Sequence, residues 1–379
     1  MSSRKPHDNT EKIRVALTGG GTGGHVYPAI SIAQALQQLH PGVELLYIGS
    51  SHGPEGDIAQ GAGLEFIPIP SGPISKSLSL RNMRSLAQLM TGVFRARRVL
   101  KQFNPDVVVG TGGYVTAAIL LAQRTLGGKI VIHEQNAKPG RTNTLLSKIA
   151  DKVCVTFDSS TAYLPKSKTE VTGLPIRSQL RHLPAKAEAR QQLGLDKDLF
   201  TVVAVGGSQG AQKPNEIIAG AWPLIDDGST QLLHQVGQRN IDNMRAHLGK
   251  PEQHPHYHVE AYIDMPLGLA GADLIISRSG GTVAEITAAG KPSILFPYPY
   301  HKDQHQKRNA EHLVEHGAAI MCEDLSTTSE QLAEIIARLR KSPGELSKMA
   351  EASKSLGKPD AADRVARIVL QVAKTGLDN

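Results

Sequence analysis

Four times in this chain a short apolar run ends in a glycine-rich loop. Ile13–Thr18 (IRVALT) leads into Gly19–Gly24 (GGGTGG) and then a helical stretch, Tyr27–Leu39. Asp106–Gly110 (DVVVG) leads into Thr111-Gly112-Gly113 and a helix that reaches Leu126. Phe200–Val205 (FTVVAV) enters Gly206-Gly207-Ser208, and Asp273–Ser277 precedes Ser279-Gly280-Gly281-Thr282. Strands buried on both faces read as continuous apolar runs, and their alternation with helices implies parallel sheets covered on both sides. Further strands are predicted at 43–48, 64–69, 129–133, 232–236, 257–262 and 293–296.

At 379 residues the chain favours two domains. The pattern restarts after Gly173–Glu188, a stretch with Pro175, Pro184 and several charges that reads as the linker. The expected division is 1–175 and 176–379, each half a doubly wound, Rossmann-like α/β domain. The stretch from about Ser326 to Lys374 is expected to be helical and polar on one face, its last helix able to pack back on the N-terminal half. Two such domains would face each other across a cleft, with ligands at the carboxyl edges of the strands.

Hydrophobic residues make up 40% and charged residues 20%, the balance of an ordinary soluble globular protein. Aromatics are only 4%, so the core must be built from Ala, Val, Ile and Leu. Cys154 and Cys322 lie far apart in no metal-type spacing, which suits a reduced protein without disulfides. The polar start, MSSRKPHDNTEK, does not read as a signal peptide. No stretch approaches the roughly 18 apolar residues that span a bilayer. The net charge of +7 suits an anionic partner: nucleic acid, phosphates or anionic lipid.

A glycine-rich loop at a helix start turns backbone N–H groups toward anions, although a single one can be only a tight turn. No Gly-Lys-Ser/Thr follows the first loop, which argues against a Walker-type ATPase. His25 directly follows the first loop and could accept a proton near neutrality, or simply pack there. Glu285, one turn into the helix after Gly280-Gly281-Thr282, could accept both hydroxyls of a ribose, or only complement the helix dipole. His133-Glu134-Gln135-Asn136 sits at a strand end, and Arg177 in the linker could pair with a phosphate or remain a surface charge.

Three patterns are decoys. Asp196-Lys197-Asp198 precedes a strand and reads as a solvated turn. His254, His256 and His258 alternate without a Cys or carboxylate to complete a zinc set. His301 and His305 lack the glutamate of a zinc protease helix.

From about Leu78 to Lys101 the chain is amphipathic and basic. At 100° per residue, Leu78, Met83, Leu86, Leu89, Met90, Val93, Phe94 and Leu100 share a broad arc, with Arg81, Arg84, Arg95 and Arg98 opposite. Either the apolar arc enters the core, or part of the segment, with the loop Ser71–Lys76, lies on an anionic membrane surface. Nucleic acid fits poorly, since Phe94 is the one stacking residue in the segment.

Taken in order, seven stretches resemble the MurG family of N-acetylglucosaminyltransferases: GGGTGGHVYPA (Gly19–Ala29), GTGGYVT (Gly110–Thr116), HEQNAKPGRTN (His133–Asn143), TGLPIR (Thr172–Arg177), GGSQGA (Gly206–Ala211), SRSGGTVAEI (Ser277–Ile286) and HKDQHQKRNA (His301–Ala310). The resemblance covers nearly the whole chain. It implies a GT-B fold and a hexosyltransferase that needs no bound metal or cofactor. The implied reaction moves N-acetylglucosamine from UDP-N-acetylglucosamine to lipid I, giving lipid II for peptidoglycan, with inversion at the anomeric carbon. It implies work at the cytoplasmic face of the inner membrane as a peripheral protein, partners in cell-wall synthesis, cell shape and division, and no nucleic acid.

Carried over by position, His25 would be the general base, and Thr22, Gly23 and Gly24 would line the sugar and diphosphate. Asn136 and Asn143 would face sugar or acceptor, with Tyr114 and Glu134 on the acceptor side. Arg177 and Ser208 would hold the diphosphate, the Ile263 backbone would meet uracil, Thr282 and Glu285 would take phosphate and ribose, and Gln306 the sugar hydroxyls. Leu174 departs from the Asn common in the family, and His305 from a second Gln found in some members. The competing readings are a GT-B enzyme with another lipid acceptor, a UDP-sugar 2-epimerase, and a silent nucleotide-sugar-binding subunit.

Overall fold

Three consecutive valines, Val107, Val108 and Val109, are all fully buried. Val107 and Val109 point into one layer of helices and Val108 into the other. A strand covered on both faces has no polar side to show, which is why its sequence does not alternate. The computed structural model describes residues 12–72, 80–206, 211–249, 254–300 and 303–375, with only the backbone of 80–87.

In the first sheet, β1 (Arg14–Thr18), β2 (Glu44–Ser50), β3 (Glu65–Ile69), β4 (Val107–Gly110), β5 (Lys129–Glu134), β6 (Lys152–Val155) and β7 (Thr169–Val171) run parallel in the order β3-β2-β1-β4-β5-β6-β7. The order reverses beside β1. Its neighbour β4 pairs Thr18 with Gly110, and β5 pairs Ile132 with Gly110, so the ends of three strands come level. Helix α1 (Gly23–Leu39) covers one face, with α2 (Glu55–Gly61) next to it. Helices α3 (Leu80–Phe103), α4 (Tyr114–Thr125) and α5 (Arg141–Leu146) lie on the other.

The second sheet contains β8 (Phe200–Val205), β9 (Thr230–Gln235), β10 (Tyr257–Glu260), β11 (Leu274–Ser277), β12 (Ser293–Leu295) and β13 (Ala319–Met321), parallel in the order β10-β9-β8-β11-β12-β13. Its helices are α6 (Lys186–Gln192), α7 (Gln212–Ile225), α8 (Ile241–Leu248), α9 (Met265–Gly271), α10 (Thr282–Ala288), α11 (His305–Glu315), α12 (Ser329–Lys341) and α13 (Pro343–Leu356). The single tryptophan, Trp222 on α7, is fully buried against Tyr257, at 5.3 Å between ring centres.

Two compact units emerge. One contains the chain up to Gln135, then Pro139–Pro175 and everything from Asp360; the other contains Asn136–Lys138 and Ile176–Pro359. The division drawn from sequence at 175/176 differs from this at two segments, each for a local reason. The Ala137 amide donates to Asn309 of the second unit at 3.1 Å. The final helix, α14 (Ala361–Lys374), buries Val365, Ala366, Val369 and Ala373 in the core of α1. The stretch from Ser326 onward is thus three helices, broken at Pro343 and at Gly357-Lys358-Pro359.

Helix α3 corrects the single apolar arc. Leu89, Val93, Ala96 and Leu100, spaced four, three and four apart, pack on the core, whereas Met90 (49%) and Phe94 (66%) stay exposed. Residues 73–79, and the Arg81, Met83, Arg84 and Leu86 side chains, lie outside the described part.

Each unit buries a neutral histidine. Burial pushes His133 down to about 4, although its Nε2 bonds the Gly173 carbonyl at 2.9 Å. Burial pushes His234 down to about 3. Above pH 6.5 neither state holds the extra proton; as pH falls from 6.5 toward 4 the unfolded chain binds it and the folded chain does not, so stability falls. Thermal denaturation of the parent is expected to steepen its pH dependence below 6.5, by up to about 1.4 kcal/mol per pH unit for each histidine. The variant His133→Gln should show a shallower fall over that range, and an identical slope would rule His133 out as a source.

Candidate active site

In the first unit the site is assembled where β1, β4 and β5 end. After β1, Gly21 takes φ +85° and Thr22 is extended, so the chain turns and starts α1 at Gly23, four residues earlier than its sequence pattern suggests. The Thr22 hydroxyl makes no cap, leaving the first-turn amides of Gly23 and Gly24 at the helix end where no helical carbonyl reaches them.

His25 Nδ1 lies 3.1 Å from the Thr111 carbonyl and 3.2 Å from Gln135 Oε1. The amide of Gln135 is oriented by donating through Nε2 to the carbonyls of Thr111 and His133. Both partners of Nδ1 are therefore acceptors, and this network assigns the ring proton to Nδ1 and the basic lone pair to Nε2. The ring itself is half-buried. Close approach explains the glycines: a Cβ on Gly112, at φ +113°, would stand 2.8 Å from His25 Nδ1.

The glycine loop after β1 does not present all its amides outward, as the sequence suggested. Gly20 N–H donates to the Gly112 carbonyl at 3.1 Å, and Gly21 N–H to Glu55 Oε2 at 3.4 Å. Glu55 is fully buried and also accepts from the Ser50 amide at 2.9 Å. Nothing local in the sequence marks Glu55 for this role, since it reaches the loop from the start of α2, after β2.

Tyr114 opens α4 beside the Gly112-Gly113 turn and is 53% exposed. Glu134 and Asn143 come together, but inward: Asn143 Nδ2 donates to Glu134 Oε2 at 2.8 Å, and both residues are buried. Glu134 Oε2 also accepts the Gly140 amide at 3.1 Å, so the pair ties the end of β5 to the start of α5.

In the second unit the loop after β11 carries the corresponding arrangement. Arg278 forms a two-pronged ion pair with Asp324 at 2.7 and 2.8 Å and donates to the Phe296 carbonyl at 3.1 Å. Ser279 Oγ donates to the Gln306 carbonyl at 2.7 Å, and Gln306 Oε1 accepts the Tyr298 amide at 2.9 Å. Thr282 opens α10, and one turn on Glu285 Oε1 lies 3.5 Å from Arg177 Nε. Burial raises the Glu285 carboxyl above its usual range, and the Arg177 guanidinium opposes that. Ile263 N–H is taken by Gln235 Oε1 at 3.1 Å. Asn136 lies beside Ala137, whose amide bonds Asn309. Ser208, with the rest of 207–210, and His301 lie outside the described residues.

Sequence reasoning missed Glu55, Gln135 as the orienter of His25, the Arg278–Asp324 pair, and Asn309. Gln135 and Asn309 were legible only as members of polar stretches, HEQN and QKRNA. The decoy Asp196-Lys197-Asp198 is a turn, in which the Asp198 amide donates to Asp196 Oδ1 at 2.7 Å.

Two parallel, doubly wound units in one chain, with glycine-rich loops at the strand ends, define a GT-B type protein. The N-terminal domain of glycosyltransferase family 28 matches residues 15–155, and the C-terminal domain of that family matches 201–365. A UDP-N-acetylglucosamine–N-acetylmuramyl-(pentapeptide) pyrophosphoryl-undecaprenol N-acetylglucosamine transferase of Desulforamulus reducens is 38% identical over 95% of this chain and 99% of its own length. The enzyme of the same name from Bacillus cytotoxicus is 35% identical over 96% and 100%. The crystal structure of Acinetobacter baumannii MurG superposes with a TM-score of 0.74 at 29% identity, over 95% and 99% of the two chains. A putative UDP-N-acetylglucosamine 2-epimerase from Listeria monocytogenes shares the fold, at TM-score 0.71 and 16% identity over 97% of each chain. The chain belongs to glycosyltransferase family 28 and, within it, to the MurG family of transferases.

Replacing Glu55 tests the inward-facing half of the glycine loop. Glu55→Ala is expected to lower stability by about 2–4 kcal/mol, because it orphans two amides and leaves a cavity. Glu55→Gln, which keeps a side-chain oxygen, should lose only about 1 kcal/mol. Melting followed by circular dichroism reads the difference, and an alanine variant as stable as the parent would show that the loop does not lean on this side chain.

Proposed function

We propose that this enzyme transfers N-acetylglucosamine from UDP-N-acetylglucosamine to the C4 hydroxyl of the N-acetylmuramic acid of lipid I, forming lipid II for peptidoglycan. The relatives named for that transfer align over 95% or more of the chain and 99% or more of their own length, which carries the reading. A 2-epimerase reading has only the shared fold behind it, at 16% identity.

The acceptor oxygen attacks the anomeric carbon as the bond from that carbon to the β-side phosphate oxygen of UDP breaks. The new linkage is inverted, and UDP leaves as an anion. His25 takes the hydroxyl proton on Nε2. Support comes from the Nδ1–H bonds to Thr111 and Gln135, which fix the ring and leave Nε2 as its basic atom. Arg177 and Ser208 hold the diphosphate, with the first-turn amides at Thr22, Gly23 and Gly24 lining the sugar and diphosphate. Glu285 takes the ribose, Thr282 a phosphate oxygen, the backbone carbonyl of Ile263 the uracil, since its N–H is held by Gln235, and Asn136 and Gln306 the sugar. Tyr114, exposed at the start of α4, meets the acceptor. The inward pair Glu134–Asn143 shapes the acceptor side from beneath.

Lipid I is held in a membrane, and among the described residues no helix is long and apolar enough to cross one. The protein acts from the cytoplasmic face of the inner membrane as a peripheral enzyme, alongside other proteins of wall synthesis and division. Exposed Met90 and Phe94 on α3, in a stretch that also carries Arg95, Arg97, Arg98 and Lys101, form the membrane-facing patch. Apolar side chains entering the interface beside cations that meet anionic headgroups are the ordinary basis of such binding.

The test is to supply labelled UDP-N-acetylglucosamine and lipid I and look for labelled lipid II. Release of UDP without any lipid acceptor would point to an epimerase or hydrolase instead. His25→Ala is expected to lower kcat by about 10²- to 10⁴-fold while leaving the KM for the donor within about threefold; turnover within twofold of the parent would remove His25 from the role of base.

Phe94→Asp is expected to weaken sedimentation with phosphatidylglycerol vesicles by about tenfold, since it removes an inserted ring and adds a repelled charge. Its turnover on a detergent-dispersed, short-chain acceptor should match the parent. Unchanged vesicle binding would move the membrane contact away from α3.

A further inference from the structure

Asn309 sits on α11 one turn beyond Gln306, and it is 2% exposed. Its Oδ1 accepts the Ala137 amide at 3.1 Å, across 172 residues of sequence. Its Nδ2 donates to the Ser279 carbonyl at 3.1 Å. Ser279 returns a bond to α11 through its hydroxyl, which donates to the Gln306 carbonyl. We propose that Asn309 is a positioning residue for the donor sugar, setting the places of Asn136 and Gln306 from one buried amide. The proposal rests on the transferase reading, in which those two residues contact the sugar.

A side chain in this position must accept from one backbone N–H and donate to one backbone C=O at the same time. A carboxamide does both; a carboxylate cannot donate, and an aliphatic side chain does neither. At this burial, water does not readily stand in for a lost partner, so each missing bond leaves a buried polar group unsatisfied. The three-residue segment Asn136–Lys138 belongs to the second unit although its chain neighbours on both sides belong to the first. Ala137, its central residue, is buried, and the hydrogen bond to its amide holds the backbone next to Asn136. The same amide fixes the carbonyl that precedes the Gly280-Gly281 turn. Its hydrogen bonds go to Ala137 and Ser279, and not to Ile263 or Glu285, the residues assigned to uracil and ribose.

The expected signature is a loss that falls on the sugar and spares the nucleotide. By calorimetric titration, Asn309→Asp, which keeps an oxygen for Ala137 and loses the donor to Ser279, should weaken UDP-N-acetylglucosamine binding about tenfold and UDP binding less than about twofold. The KM for the donor should rise with the affinity loss. Asn309→Gln, which keeps the carboxamide but moves it along a longer stem away from both backbone partners, should shift the same ratio by about threefold and serves if the Asn309→Asp variant does not fold. Equal losses for UDP and UDP-N-acetylglucosamine, or no loss for either, overturn the assignment of Asn309 while the parent still binds both. A parent chain that binds neither ligand overturns the transferase reading and this proposal with it.

Discussion

Thr111 holds three strand ends together. Its amide and hydroxyl both donate, to the Thr18 carbonyl at 2.9 Å and the His25 carbonyl at 2.7 Å respectively, which joins the end of β4 to the turn after β1. Its carbonyl accepts from His25 Nδ1 and from the Gln135 amide, which brings in the end of β5. A residue so used tolerates no crowding, and a Cβ on Gly19 would meet the threonine hydroxyl at 2.0 Å. The glycine run after β1 is therefore in part a steric requirement of Thr111. The imidazole then stands on a backbone fixed from both sides, which is what an aimed proton acceptor needs.

The second unit solves the same problem with different chemistry. There the strand-end loops are drawn together by Arg278, whose guanidinium spans Asp324 after β13 and the Phe296 carbonyl after β12, and lies 5.5 Å from the Tyr298 ring centre. Asp324 is 4% exposed, so the pair is desolvated, and its worth depends on geometry. Two parallel bonds in the plane of the guanidinium supply that geometry. The pair sets the backbone from which Ser279, Gln306 and the start of α10 are presented.

How much of this could be read in the sequence follows from how far each contact reaches along the chain. The strand, glycine loop and helix after Ile13 are local, and only the start of the helix differs, because Thr22 extends and lets Gly23 and Gly24 enter the first turn. Strands β6, β7 and β13, three or four residues long, were not read from the sequence, and each is held by pairing along the edge of a neighbour, β5, β6 and β12 respectively. On α3 a broad apolar arc was legible, but which half of it faces the core is decided by α4, and that left Phe94 outside. Glu55 and Asn309 were the hardest to see, since each acts on backbone 34 and 172 residues away, where spacing carries no information.

The ion pair of Arg177 with Glu285 bears on what the second unit can accept. Burial drives the Glu285 carboxyl upward, and the guanidinium at 3.5 Å is the group that resists this. In the proposed reading an entering diphosphate draws Arg177 toward itself. A bare diphosphate would then leave a buried carboxylate with its cation diverted, a state that favours proton uptake and weakens binding. A nucleoside diphosphate brings two ribose hydroxyls that donate to the same carboxylate, replacing one stabilising partner with another. On that proposal, selectivity for a nucleotide over free phosphates would follow from the Arg177–Glu285 pair, whose two members a nucleoside diphosphate would engage together.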